Sequence, residues 1–132
     1  MRIPRPLLDE IVAHAREDAP NECCGLVGGR DRGASSVHRA GNEFASPMRF
    51  QIESRDQLRI LNEIEAAGEE LAALYHSHPR SEAYPSQTDV NLAEWWPGVA
   101  WLICSLAGPE PVVRAFEIAD GEVMELELRV GG

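Results

Sequence analysis

The stretch His76-Ser77-His78-Pro79-Arg80-Ser81-Glu82-Ala83-Tyr84-Pro85-Ser86-Gln87-Thr88-Asp89 gathers two imidazoles and a carboxylate into one short run. The residues before it, Leu71-Ala72-Ala73-Leu74-Tyr75, are apolar and few, as in a buried strand. Residues two apart on a strand project to one face, so His76 and His78 point the same way. Ser86 and Asp89 have the spacing of a helix start, with the serine as cap and the aspartate in the first turn. Two imidazoles joined by a carboxylate from that helix supply the nitrogen and oxygen donors of an open tetrahedral zinc site. The fourth position is left for water, the arrangement that catalysis uses. Each feature alone has a structural reading, and it is their convergence at one spacing that points to a metal.

These side chains need a scaffold. Pro6 suits a first helical turn, and Leu7, Leu8, Ile11, Val12 and Ala15 follow at helical spacing up to Pro20. His14 inside this helix reads as a surface histidine without a role. Cys23 to Gly28 reads as a short buried strand, Gly28 to Gly33 as a turn, and Ser35 to Arg39 as the returning strand. Glu22 thus stands at a strand's beginning, where a side chain can reach a cleft. Ala40 to Glu43 is a polar loop, and its Glu43 is a second, weaker candidate carboxylate because exposed loop glutamates are usually solvated. Phe50-Gln51-Ile52 alternates like a strand. Ser54-Arg55-Asp56-Gln57 has the form of a capping box opening a second helix, which buries Leu58, Leu61 and Ile64 and stops at Gly68.

After the histidines, a helix from Ser86 to about Trp96 ends at Pro97, and Val99 to Leu106 suits a central strand that buries Trp101 and Cys104. Asp120-Gly121 is a two-residue turn between Val112–Ile118 and Val123–Val130. In the latter, Met124, Leu126, Leu128 and Val130 alternate with charged residues. The order is helix, hairpin, strand, helix, strand, ligand loop, helix, strand, hairpin. It predicts a compact α/β domain with a mostly antiparallel mixed sheet between helices, a single domain over residues 1–132.

Composition narrows the partners. Lys plus Arg number 12 against 22 Asp plus Glu, a formal charge of -10. That balance argues against nucleic acid and against anionic membranes. No apolar run has the length of a membrane span, and Met1 to Pro6 lacks a signal peptide's apolar centre. Three cysteines, two of them adjacent, make a poor disulfide framework. The expected location is cytoplasmic. A zinc nucleoside deaminase would need a His-x-Glu and a Pro-Cys-x-x-Cys pair, and neither occurs.

His-x-His-Pro, six residues, then Ser-x-x-Asp resembles the zinc-binding core of the JAMM (MPN-plus) metalloproteases. Pro20-Asn21-Glu22-Cys23-Cys24-Gly25 resembles the segment that carries the family's upstream glutamate. Further segments resemble the small bacterial members that release cysteine from a sulfur-carrier protein. These are Ala13-His14-Ala15-Arg16, Ser54-Arg55-Asp56-Gln57-Leu58, the Glu82-Ala83-Tyr84-Pro85-Ser86 loop and Ile118-Ala119-Asp120-Gly121. The resemblance implies the JAMM fold, one Zn2+ held by His76, His78 and Asp89, Glu22 as general acid and base, and Ser86 as donor to an oxyanion. Tyr84 is a candidate wall of the substrate cleft. The implied substrate is an amide behind the C-terminal diglycine of a ubiquitin-like sulfur-carrier protein, cut to release cysteine in cysteine biosynthesis. Processing of a carrier precursor and cleavage of lysine isopeptide conjugates are alternatives, and a non-catalytic MPN scaffold is the binding-module alternative. The chain's own end, Val130-Gly131-Gly132, reads as a frayed glycine terminus.

Overall fold

The computed structural model describes residues 1–131. Eight strands form one mixed sheet: β1 Arg2–Pro4, β2 Cys24–Arg30, β3 Gly33–Ala40, β4 Glu70–His78, β5 Ala100–Ser105, β6 Val112–Ala119, β7 Glu122–Leu126 and β8 Arg129–Gly131. Three α-helices accompany them among the described residues: α1 Arg5–Asp18, α2 Ser54–Ala66 and α3 Gln87–Leu92. The strand order is β7-β6-β5-β4-β2-β3-β1-β8, with β4 and β5 parallel and the β2–β3, β2–β4, β5–β6 and β6–β7 pairs antiparallel. The expected α/β class and mostly antiparallel mixed sheet are what the chain adopts.

Strand alternation sorts the apolar side chains into two cores, one on each face. Ala73 and Tyr75 of β4, Leu102 and Cys104 of β5, and Val27 of β2 meet Leu8, Ile11 and Ala15 of α1. Full burial of an aliphatic side chain contributes about 1.5–3 kcal/mol, so Leu8 and Ile11 alone anchor α1 firmly. Leu74, Trp101, Ile103, Phe116 and Leu26 face the other way, against Ile60 and Ile64 of α2. His76 and His78 share the parity of Leu74, and Glu22 that of Cys24, so all three belong to the α2 face.

Several expectations are corrected. The N-terminal residues Arg2–Pro4 form an unforeseen strand parallel to β3 and β8. The last apolar alternation is split: β7 ends at Leu126, and Arg129–Gly131 crosses to the opposite edge of the sheet beside β1. Only Glu127 and Leu128 separate the two, so the sheet is curled enough to bring its edges together. The Met1 amine donates to the Glu127 carbonyl at 2.8 Å across that seam. Gly131 therefore pairs with Pro4 and is not frayed, while Gly132 lies outside the described residues. Met124, on the apolar side of that alternation, is exposed.

The first turn is only Asp31-Arg32, both at positive φ (50° and 62°), as a two-residue hairpin of this hand requires. Asp120-Gly121 makes the same turn as expected, at 53° and 77°. Phe50–Ile52 is not a strand but a loop end with one isolated bridge, Asn42 to Ile52. The capping box at Ser54 does not form: the cap is Glu53 with no side-chain bond, and Asp56 instead accepts from the Gly41 N–H at 2.8 Å. Leu58 is exposed, and Ile60 and Ile64 carry the buried stripe of α2. The third helix is shorter than expected, ending at Leu92 and continuing as a 3-10 turn, Ala93–Trp95.

Candidate metal centre

Strand β4 ends at the site. His76 and His78 stand one alternation apart on the α2 face and are buried, with their Nε2 atoms 3.0 Å from each other. Asp89, in the first turn of α3, sets Oδ2 at 3.1 Å from both nitrogens. A capping box holds it there: the Asp89 N–H donates to Ser86 Oγ at 3.1 Å, and the Ser86 N–H donates to Asp89 Oδ2 at 2.9 Å. His78 Nδ1 lies 2.8 Å from the Glu82 carbonyl, which makes it the protonated nitrogen and leaves the Nε2 lone pair facing inward.

Two bare imidazole nitrogens and an anionic oxygen at this spacing repel one another unless a proton or a cation sits among them. That is the test a metal must meet, and the donor set meets it. All three are buried, of the types zinc accepts, and one ring is already fixed in the ligating tautomer. The carboxyl of Glu22 also reaches this cluster, its oxygen within 4.8 Å of the histidine donors. Glu22, His76 and His78 thus form an alternative triad with the same histidines. Asp89 Oδ2 lies 3.1 Å from the Nε2 of each ring, whereas no hydrogen-bond-range contact joins the Glu22 carboxyl to either ring among the described residues.

The electrostatics follow from burial. Glu22 is 5% exposed and its Oε1 has no hydrogen-bond partner among the described residues. Burial raises its pKa to about 8, His78 pulling it down and Asp89 pushing it up. Burial would also raise Asp89, but the His76 and His78 rings and the Ser86 N–H outweigh it and hold that carboxyl well below the usual range. Burial pushes His76 below the ordinary imidazole value. Its Nδ1 has no partner among the described residues, the ring being stacked on Phe50 at 4.3 Å with Trp101 edge-on at 5.6 Å.

The structure therefore brings together His76, His78, Asp89 and Ser86, which the spacing had singled out, and Glu22, which the resemblance had singled out. Ser86 Oγ accepts a bond and donates none among the described residues, so its proton is free while its lone pair caps α3. Tyr84 is 43% exposed and leans edge-on against Phe116 at 5.4 Å, with Arg114 above the ring at 5.9 Å. Glu43 is a solvated loop residue paired with Gln51 at 3.0 Å. His14, expected at the surface, is buried and lies 2.7 Å from the Tyr75 hydroxyl.

Two contributors were not foreseen: Phe50, which backs His76, and Asn42, which donates to the Glu22 carbonyl at 3.1 Å. The apolar Phe50 beside a polar loop was the available signal for the first, and no local pattern marks the second. A second Ser–His–Glu grouping, Ser36, His38 and Glu63, is structural. Ser36 donates to Glu69 at 2.8 Å, so its proton is not directed at His38.

The sequence and the fold have known counterparts. Residues 4–119 match the family of prokaryotic homologues of the JAB domain. A desampylase of Haloferax volcanii is 37% identical over 129 residues, covering 92% of this chain and 90% of that one. A CysO-cysteine peptidase of Mycobacterium tuberculosis is 37% identical over 128 residues, covering 94% and 86%. The solution structure of a Desulfitobacterium hafniense protein superposes with a TM-score of 0.89 at 37% identity, covering 98% of this chain and 92% of that one. The chain belongs to the prokaryotic JAB-domain family. It is a hydrolase of the JAMM type.

Proposed function

We propose that this chain, acting as one domain over residues 1–132 in the cytoplasm, is a zinc-dependent hydrolase of a ubiquitin-like sulfur-carrier protein. It would cut the amide behind the carrier's C-terminal diglycine and release cysteine, serving cysteine biosynthesis. The observation that carries the reading is a buried carboxylate, Glu22, with an unpartnered oxygen beside two histidines whose lone pairs converge on an aspartate. The similarity to a CysO-cysteine peptidase supports the choice of substrate.

His76 Nε2, His78 Nε2 and Asp89 Oδ2 would hold the metal. When bound, zinc supplies Lewis-acid polarisation of a carbonyl and of water. Burial disfavours the ionised form of Glu22, and a cation held by the three neighbouring side chains would favour it. Glu22 then takes a proton from the attacking water and returns it to the departing amine, one carboxylate serving both steps. Ser86 donates its free hydroxyl proton to the oxyanion of the tetrahedral intermediate, a contact whose loss typically costs about 2.7–4 kcal/mol of barrier. Phe50 and Trp101 exclude water from one side of His76. Tyr84, exposed at the end of the ligand loop, is assigned to the wall of the cleft that receives the tail.

The equally similar desampylase favours a second reading, cleavage of conjugates of a ubiquitin-like protein from other proteins. Mass spectrometry separates the two, using one carrier protein ending Gly-Gly with cysteine amide-linked behind it and the same carrier linked to a lysine side chain. Faster release of cysteine is expected. Preference for the lysine conjugate would overturn the cysteine reading and leave the hydrolytic chemistry in place.

A further inference from the structure

The loop 43–51 joins β3 to α2 without strand structure of its own, and one side chain organises it. Asn42 Nδ2 donates to the Glu22 carbonyl at 3.1 Å and to the Arg49 carbonyl at 3.0 Å. Its Oδ1 accepts from the Phe44 N–H at 3.1 Å and from the Gln51 N–H at 3.2 Å. A carboxamide has two N–H donors and two acceptor lone pairs, so Asn42 is saturated. Two carbonyls at one end and two N–H groups at the other also fix which end is nitrogen.

The partners are not scattered. Arg49 O and Gln51 N flank Phe50, the residue whose ring stacks on His76. Glu22 O belongs to the peptide that follows the Glu22 side chain. The Glu22 N–H in turn donates to Ser46 O at 2.8 Å, in the same loop. The next N–H, of Cys23, donates to Ser77 Oγ at 2.8 Å, between the two histidines. The main chain at Glu22 is thus held on one side by the loop and on the other by β4. Asn42 ties the loop's anchor on Glu22 to the ring behind His76.

We infer that Asn42 is a positioning residue: it sets the Glu22 carboxylate against the His76–His78 pair and keeps Phe50 behind His76, so that loop and base are held as one unit. This rests on the reading of Glu22 as the proton carrier. Misplacing a catalytic group by about 1 Å costs on the order of 100-fold in rate. A loop that was merely stable would need no bond to the Glu22 peptide.

Asn42→Asp is nearly isosteric and puts an oxygen where two carbonyl oxygens need a donor. On whichever carrier conjugate the wild type cleaves faster, Asn42→Asp is expected to lower kcat by about 100-fold, with KM changed less than about threefold and zinc content unchanged. If Asn42 acts through Glu22, the Asn42→Asp, Glu22→Gln double variant is no slower than Glu22→Gln alone. A readout independent of turnover is amide hydrogen exchange. The Glu22 and Cys23 N–H groups should exchange faster in Asn42→Asp, although neither bonds to Asn42. Should Asn42→Asp not fold, Asn42→Ser keeps one donor, opens room for water, and is expected to lose about tenfold in kcat. Wild-type kcat in a folded variant, unchanged exchange at Glu22 and Cys23, or a double variant slowed by the full single-variant factor would overturn the inference. Wild-type turnover in Glu22→Gln would instead sink the reading of Glu22 itself, whatever Asn42 does.

Discussion

The two faces of the sheet bury the same kinds of polar group to opposite ends. On the α1 face, His14 Nε2 lies 3.2 Å from Asp18 Oδ2 and Nδ1 lies 2.7 Å from the Tyr75 hydroxyl. One nitrogen donates, the other accepts, and the ring is complete. Gly25 makes room for this: a Cβ there would fall 2.3 Å from Tyr75 Cε1. On the α2 face, one and three residues along β4 from Tyr75, the nitrogens of His76 and His78 face each other and a carboxylate. Beside them, Glu22 Oε1 is left without a partner among the described residues. A buried polar group that is satisfied locks a helix to a sheet, and one left unsatisfied at convergent lone pairs is shaped for a ligand. Burial and residue type do not separate the two cases; the direction of each lone pair does.

That contrast predicts effects of very different size. Replacing His76, His78 or Asp89 by Ala should remove the metal and bring turnover to background, which elemental analysis beside the carrier assay will read. Full metal retention in all three would show that the unsatisfied face is not the site. Tyr75→Phe leaves His14 Nδ1 buried and bare, so it should destabilise the fold by about 1–3 kcal/mol in denaturant titration. Zinc content and kcat should stay near wild type. Loss of metal with loss of stability would show that the faces are not independent.

The smallest effect is one of pH. Burial, followed by the Asp18, Arg39 and Glu17 charges, leaves the His14 pKa lowered from 6.5. Folding therefore favours the neutral ring, and its stabilisation is full above the unfolded value and is lost as pH falls below 6.5. The melting-temperature advantage of wild type over His14→Gln should be larger at about pH 7.5 than at about pH 5. An advantage that grows in acid would mean that the folded state prefers the imidazolium.

What was legible in the sequence was what local periodicity encodes. The shared face of His76 and His78 follows from strand alternation, and the Ser86–Asp89 cap from helix chemistry. The Asp120-Gly121 turn follows from the need for positive φ. Glu22 was found through family resemblance, because nothing in Pro20 to Gly25 reveals that its side chain ends beside residues more than fifty positions later. The strand Arg2–Pro4 was invisible for the same reason: three residues, one of them proline, pair with Arg129–Gly131 at the far end of the chain. His14 was misread because its partner, Tyr75, is 61 residues away. Asn42 and Phe50 sit in a stretch without periodicity, where position is set by side-chain bonds that no spacing rule records.

The central claim is that His76, His78 and Asp89 hold the metal while Glu22 stands beside it as the proton carrier. The most direct test is a crystal of the zinc-loaded protein measured on both sides of the zinc absorption edge. The account predicts one anomalous peak per chain, bonded to His76 Nε2, His78 Nε2 and Asp89 Oδ2 at about 2.0–2.2 Å, with the Glu22 carboxylate outside bonding distance. A peak elsewhere, or one bonded to Glu22 in place of Asp89, would contradict it.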